Sequence, residues 1–105
     1  MCLILLSYKT HPRYKLIIGA NRDEFYSRPS EPARFWKEFP HLLAGKDLLA
    51  GGTWLGMTKT GKIGMITNYR EIKSLMSDAP SRGHLLMDYF TGDTQAEDYL
   101  DSLSP

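Results

Sequence analysis

The chain has 105 residues, of which 42% are hydrophobic, and a formal charge of +1. That size and balance describe one domain or a piece of one. Acidic and basic residues are interspersed, with no basic footprint for nucleic acid or an anionic membrane. The single cysteine cannot form an internal disulfide, so nothing calls for an oxidising compartment. The apolar run Leu3 to Leu6 is far short of a membrane span and lacks the longer core of a signal peptide. A cytoplasmic protein without membrane insertion is expected.

Leu3 to Tyr8 reads as a strand, and Tyr14 to Ala20 as the next, joined by the turn residues Thr10-His11-Pro12-Arg13. The expected register sets Tyr8 opposite Tyr14 and Cys2 opposite Ala20. Both strands are apolar on both faces, which implies a sheet covered on each side. Residues 21–50 read as a polar motif followed by an excursion without regular structure, because Pro29, Pro32 and Pro40 interrupt it. Phe35, Trp36 and Phe39 within it imply that it packs down. A second hairpin is expected over residues 51–70, with Thr53 to Thr58 and Lys62 to Asn68 flanking Lys59-Thr60-Gly61, Thr58 opposite Lys62 or Ile63, and Gly61 at a turn position suited to positive φ. Helices follow over about 81–103. Ser81 can cap the first, which carries Leu85, Leu86, Tyr89 and Phe90 and ends at Gly92. Thr94 with Glu97 fits a capping box for the second, with Ala96, Tyr99, Leu100 and Leu103 at helical spacing. The order is thus four strands, then two helices, an α+β arrangement. Two short helices cover only part of one face of such a sheet, so the chain reads as incomplete on its own.

The chemistry concentrates at the strand ends. If Met1 is removed, Cys2 carries a thiol and a free α-amine on one residue, a nucleophile with its own base. An α-amine titrates near 7.7–8.0 and can accept a proton close to neutral pH. The alternative is a small apolar residue at the start of a strand. The hairpin registers gather Asn21, Arg22, Asp23 and Glu24 at the open end of the first hairpin. They gather Gly51-Gly52-Thr53 against Thr67-Asn68-Tyr69-Arg70 at the open end of the second. Asp23 can orient the amine, Arg22 can offer its donor fork to a substrate carboxylate or carbonyl, and Asn68 can donate to an oxyanion. The same residues could equally be solvated strand ends, local ion pairs and caps. His11, His41 and His84 lack metal-ligand spacing, and the chain carries no phosphate loop or dinucleotide fingerprint.

Met1-Cys2, Ala20-Asn21-Arg22-Asp23-Glu24-Phe25-Tyr26-Ser27-Arg28-Pro29, Ala50-Gly51-Gly52-Thr53-Trp54-Leu55-Gly56, Thr67-Asn68-Tyr69-Arg70 and Ser81-Arg82-Gly83 together resemble the NRDE family, also called the transport and Golgi organisation protein family. The resemblance implies the N-terminal part of a longer domain. It also implies kinship with the N-terminal nucleophile hydrolases, whose fold is a four-layer αββα sandwich of antiparallel sheets, and especially with cysteine amidases acting on bile-salt conjugates and penicillin V. On that basis Cys2, Asp23 and Asn68 are the catalytic candidates, and Asn21, Arg22, Trp54 and Tyr69 the substrate-binding ones. One departure stands out: the amidases carry their arginine immediately before the motif asparagine, whereas here Ala20 precedes Asn21 and the arginine is Arg22. The implied reaction is hydrolysis of a linear amide, with no cofactor or metal required. The family's second implied role is non-enzymatic binding or transport of haem or an acyl lipid, linked to secretion, Golgi organisation or mitochondrial metabolism. The partners expected are a small-molecule substrate or ligand, and either the missing C-terminal half or a second copy of the chain.

Overall fold

A computed structural model describes residues 3–67 and 82–103. They hold six strands and two helices: β1 (Leu3–Tyr8), β2 (Leu16–Asn21), β3 (Ser30–Phe35), β4 (Leu42–Asp47), β5 (Leu55–Thr58), β6 (Ile63–Met65), α1 (Gly83–Thr91) and α2 (Ala96–Leu103). The class is α+β, with two antiparallel sheets, β1-β2 and β3-β4-β5-β6. The described residues fall into two units, 3–25 with 67, and 26–66 with 82–103.

In the first unit Tyr8 pairs with Leu16 and Leu3 with Asn21. This is two residues away from the register expected above. The reason lies in the turn, which runs from Lys9 to Lys15 and takes Tyr14 out of the strand. Lys9 adopts a left-handed φ of 56° and donates to the Lys15 carbonyl at 2.7 Å. The His11 ring then gathers the amides of Arg13 and Tyr14 on Nδ1, at 3.1 and 3.3 Å. A shift of two residues leaves every side chain on its expected face. Covering layers on both faces of this hairpin are not present among the described residues: Leu3, Leu5, Leu6 and Tyr8 are all well exposed.

In the second unit, residues 30–47 form a hairpin rather than an irregular excursion. Pro32 is accommodated because β3 is an edge strand, and its pairing with β4 shifts register between Glu31 and Arg34. An edge strand and a bulge are the two places where a sheet tolerates a residue without an N–H. The β5-β6 hairpin matches expectation, with the Thr58 amide on the Lys62 carbonyl at 2.8 Å and Gly61 at φ 98°.

The core lies where α1 crosses this sheet. Leu42 and Phe90 are essentially inaccessible, and Trp36, Ala44 and Met87 close around them. The Trp36 indole donates to the Ala44 carbonyl at 2.9 Å, so its one polar atom is satisfied on burial. Gly56 and Gly64 make room for the Phe90 ring, which a Cβ at either position would meet at 3.0–3.1 Å. Met87, which the sequence pattern did not mark, is buried, whereas Leu85, which it did mark, is 40% exposed. Arg82 flanks the start of α1, and Ser81 lies outside the described residues. Gly92 ends the helix as expected. Lys62 reaches across to the Tyr89 and Gly92 carbonyls at 2.8 and 2.7 Å, a cation at the negative end of a helix. The second helix begins at Ala96, too late for Thr94 to cap it, and Glu97 and Asp98 instead sit in its first turn, where carboxylates suit the helix dipole.

The docking of α1 depends on two glycines. A Cβ on Gly52 would stand 2.7 Å from the Gly83 carbonyl carbon, and one on Gly83 would stand 2.9 Å from the Thr53 oxygen. Both obstacles are backbone and cannot swing aside. Gly52→Ala is expected to cost about 1–3 kcal/mol, the usual range for overpacking, in urea denaturation. Gly19→Ala is the control: nothing lies within 4 Å of its added Cβ, and a change within about 0.5 kcal/mol is expected. Equal effects at the two positions would disprove the close approach.

Candidate functional site

The motif residues divide between the two units. In the first, the polar end of β2 meets the beginning of β1. Asn21 pairs with Leu3 across the ladder, and its side-chain oxygen accepts the Leu3 amide at 2.8 Å. Leu3 is the residue that follows Cys2 in the chain. The Asn21 side chain therefore closes the ladder at its open end, and Arg22, Asp23 and Glu24 continue directly from it. Arg22 and Glu24 are half-buried; Asn21 and Asp23 are exposed. Cys2, Asn68 and Tyr69 lie outside the described residues.

Trp54 belongs to the second unit. Its indole lies against the backbone of Gly45 on β4, where an added Cβ would fall 2.5 Å from the ring. That contact is a scaffold contact, made possible by a glycine on the opposing strand.

Arg28 and the run Ala50-Gly51-Gly52 converge on Asp47, which the sequence did not single out. Asp47 is the last residue of β4 and only 6% exposed. One carboxylate oxygen accepts two hydrogen bonds from Arg28, from Nε at 3.1 Å and from the terminal guanidinium nitrogen at 2.6 Å. The other accepts the amides of Leu49 and Ala50 at 3.0 and 3.4 Å. The backbone of the same residue closes the turn, with Gly51 N on the Asp47 carbonyl and Asp47 N on the Gly52 carbonyl, both at 2.8 Å. Gly51 takes φ 86°, a conformation that glycine adopts without penalty. The Ala50 carbonyl left at the tip meets the His84 ring at 2.8 Å. So Arg28, Gly51, Gly52 and Gly83, drawn from three separate motifs, together with the neighbouring His84, build one turn and dock one helix. The signal in the sequence was a lone Asp followed by Leu-Leu-Ala-Gly-Gly. A side-chain-capped turn is the local chemistry such a pattern favours.

Comparison with known proteins places these motifs in context. The family model for Transport and Golgi organisation 2 matches residues 1–105. The chain belongs to that family. The mouse (Mus musculus) Transport and Golgi organization 2 homolog is 41% identical over 111 residues, covering 99% of this chain and 40% of its own length. The human (Homo sapiens) homolog is 40% identical over the same length and coverage. The Drosophila melanogaster protein is 35% identical over 100 residues, covering 87% of this chain and 35% of its own length. The chain thus spans about two fifths of the length of the mammalian family members it matches. Among the described residues no helix is long and apolar enough to cross a membrane.

Burial alone would raise the Asp47 pKa. The Arg28 hydrogen bonds, the two amides and the Arg28 charge outweigh it and hold the carboxyl below its ordinary value. Such a group stabilises the fold above the ordinary carboxylate range, and the contribution is lost as pH falls through the depressed folded value. Asp47→Asn is expected to cost about 2 kcal/mol at pH 7. The gap between variant and parent should narrow below about pH 4. Urea melts at pH 7 and pH 3 check both points; a gap undiminished at pH 3 would mean that the charge is not what matters.

Proposed function

We propose that this part of the family fold carries the nucleophile end of a cysteine amidohydrolase acting on linear amide bonds. The observation that supports it is the Asn21 side chain on the Leu3 amide at 2.8 Å, which ties the Arg22-Asp23 pair to the peptide unit that follows Cys2. In this reading Met1 is removed, and the Cys2 α-amine accepts the thiol proton. The thiolate adds to the substrate carbonyl, and the Asn68 side-chain amide stabilises the resulting oxyanion. Collapse breaks the carbon–nitrogen bond. The leaving amine departs with the proton held by the ammonium, and a thioester remains on the sulfur. The amine then deprotonates a water molecule, which hydrolyses the thioester and restores the thiol. Asp23 orients the α-amine, Arg22 receives an anionic group of the substrate, and Asn21 is a positioning residue that fixes the strand end.

Intact mass of the full family-length protein from its native host reports whether Met1 is absent, as the mechanism requires. With penicillin V and a glycine-conjugated bile acid as probe substrates, Cys2→Ser is expected to abolish turnover without altering the melting temperature. Asn68→Ala should lower kcat by about 10²–10³-fold, the usual effect of removing one oxyanion donor. Retention of Met1, or turnover unchanged in Cys2→Ser, eliminates the hydrolase and leaves the family's alternative of haem or acyl-lipid carriage, whose readout is a Soret shift or a thermal shift on ligand addition.

A further inference from the structure

Charge is interspersed over the chain as a whole, but not along its first stretch. Residues 1–22 hold Lys9, Arg13, Lys15 and Arg22 and none of the twelve carboxylates. Arg22 is followed at once by Asp23 and Glu24. The other three cations stand together in the turn between β1 and β2, where residues 8–15 are all exposed. Among the described residues, none of these three forms an ion pair.

The fold of the turn gathers the three cations. Beyond the pair Tyr8 and Leu16, the Lys9 amide donates to the Lys15 carbonyl at 2.7 Å, which sets two lysines across from each other. Like charges in that relation destabilise a strand pair. Lys9 also holds a left-handed φ of 56°, a conformation that is costly for a residue with a Cβ. The His11 ring accepts the Arg13 and Tyr14 amides at 3.1 and 3.3 Å, so Arg13 is fixed in the same turn. Two local conflicts therefore coincide, and no carboxylate among the described residues relieves the charge. A place where local preferences are overridden together is where function, not stability, sets the residue types.

The form of the turn limits its ligand. The apolar groove of about 320 Å³ between α1, α2 and β6 belongs to the second unit, and no residue of the turn lines it. An exposed turn does not enclose a small anion, but it can meet a broad anionic surface. Tyr8 and Tyr14 flank the cations and are 64% and 55% exposed, with the Lys9 ammonium 5.2 Å over the Tyr8 ring. Tyrosine rings settle at the headgroup level of a bilayer, apolar body inward and hydroxyl in water. Lys and Arg beside them are drawn to an anionic leaflet.

We propose that the β1-β2 turn is a peripheral contact for an anionic phospholipid surface, with Lys9, Arg13 and Lys15 on the lipid headgroups and Tyr8 and Tyr14 at the interface. The contact spans nothing. It is reversible, and salt weakens it because the cations act from the surface.

The test is co-sedimentation of the full family-length protein with phosphatidylcholine vesicles of which about one fifth is phosphatidylserine, the kind of surface to which each added cation contributes. Binding is expected to exceed that to pure phosphatidylcholine and to fall as salt rises. Arg13→Gln and Lys15→Gln should each weaken it about fivefold, the effect of one cation near such a surface. Lys37→Gln, at an exposed cation of the second unit, should leave it unchanged. Lys9→Gly separates binding from folding: it should weaken binding by the same factor without lowering the melting temperature, because glycine takes a left-handed φ freely. Equal binding to both vesicle types, an equal loss in Lys37→Gln, binding retained in Lys9→Gly, or displacement of the vesicles by poly(U) RNA would each overturn the proposal.

Discussion

Asp47 holds the second unit together through four separate groups. Its two carboxylate oxygens bind Arg28 and the Leu49 and Ala50 amides, and its own N–H and carbonyl close the turn onto Gly52 and Gly51. A carboxylate this buried persists as an anion only when its oxygens are fully met, and here they are. Because the turn is fixed, Gly52 is presented flat to Gly83, the start of α1 packs backbone to backbone, and Phe90 arrives over Gly56 and Gly64. The groove between α1, α2 and β6 inherits its shape from that placement. A polar contact at one end of the sheet thus sets an apolar cavity at the other.

This dependence changes what the shared motifs mean. Arg28, Gly51, Gly52 and Gly83 look like site residues in a sequence because they sit in recognisable blocks. In the structure they are a hydrogen-bond anchor, a left-handed turn position and two points of close backbone approach. Each imposes a requirement that only its residue type meets: a planar donor fork for Arg28, and the absence of a Cβ for the glycines. The polar cluster in the first unit differs in kind. Asn21 closes the ladder on Leu3, and Asp23 is exposed.

How far the sequence revealed the fold follows from the range of each determinant. The β5-β6 hairpin was legible because Gly61 and the flanking apolar residues specify it within a few positions. The presence of α1 and α2 and the end of α1 at Gly92 were legible for the same reason, but the start of α2 was not. The β3-β4 hairpin was hidden, since three prolines argue against a strand until the edge position and the bulge are known. The register of the first hairpin slipped because His11 folds the turn through its ring nitrogen, a device with no strong sequence signature. Met87 was missed as a core residue because the line of approach of α1 is fixed by Gly52 and Gly83, not by the hydrophobic pattern of the helix. In the candidate site, the end of β2 at Asn21 was legible from the apolar run that precedes it. Asp47 was not, because its partners are spread over a segment running from Arg28 to Ala50.

The end of β2 and the two helices differ in their charged residues. The site at the end of β2 offers Arg22, a donor fork suited to a carboxylate or carbonyl oxygen. The groove lies among helices that carry five of the twelve carboxylates of the chain and none of its thirteen lysines and arginines. Asp23 and Glu24 follow Arg22 directly, so the donor fork sits beside two carboxylates and not in a basic patch.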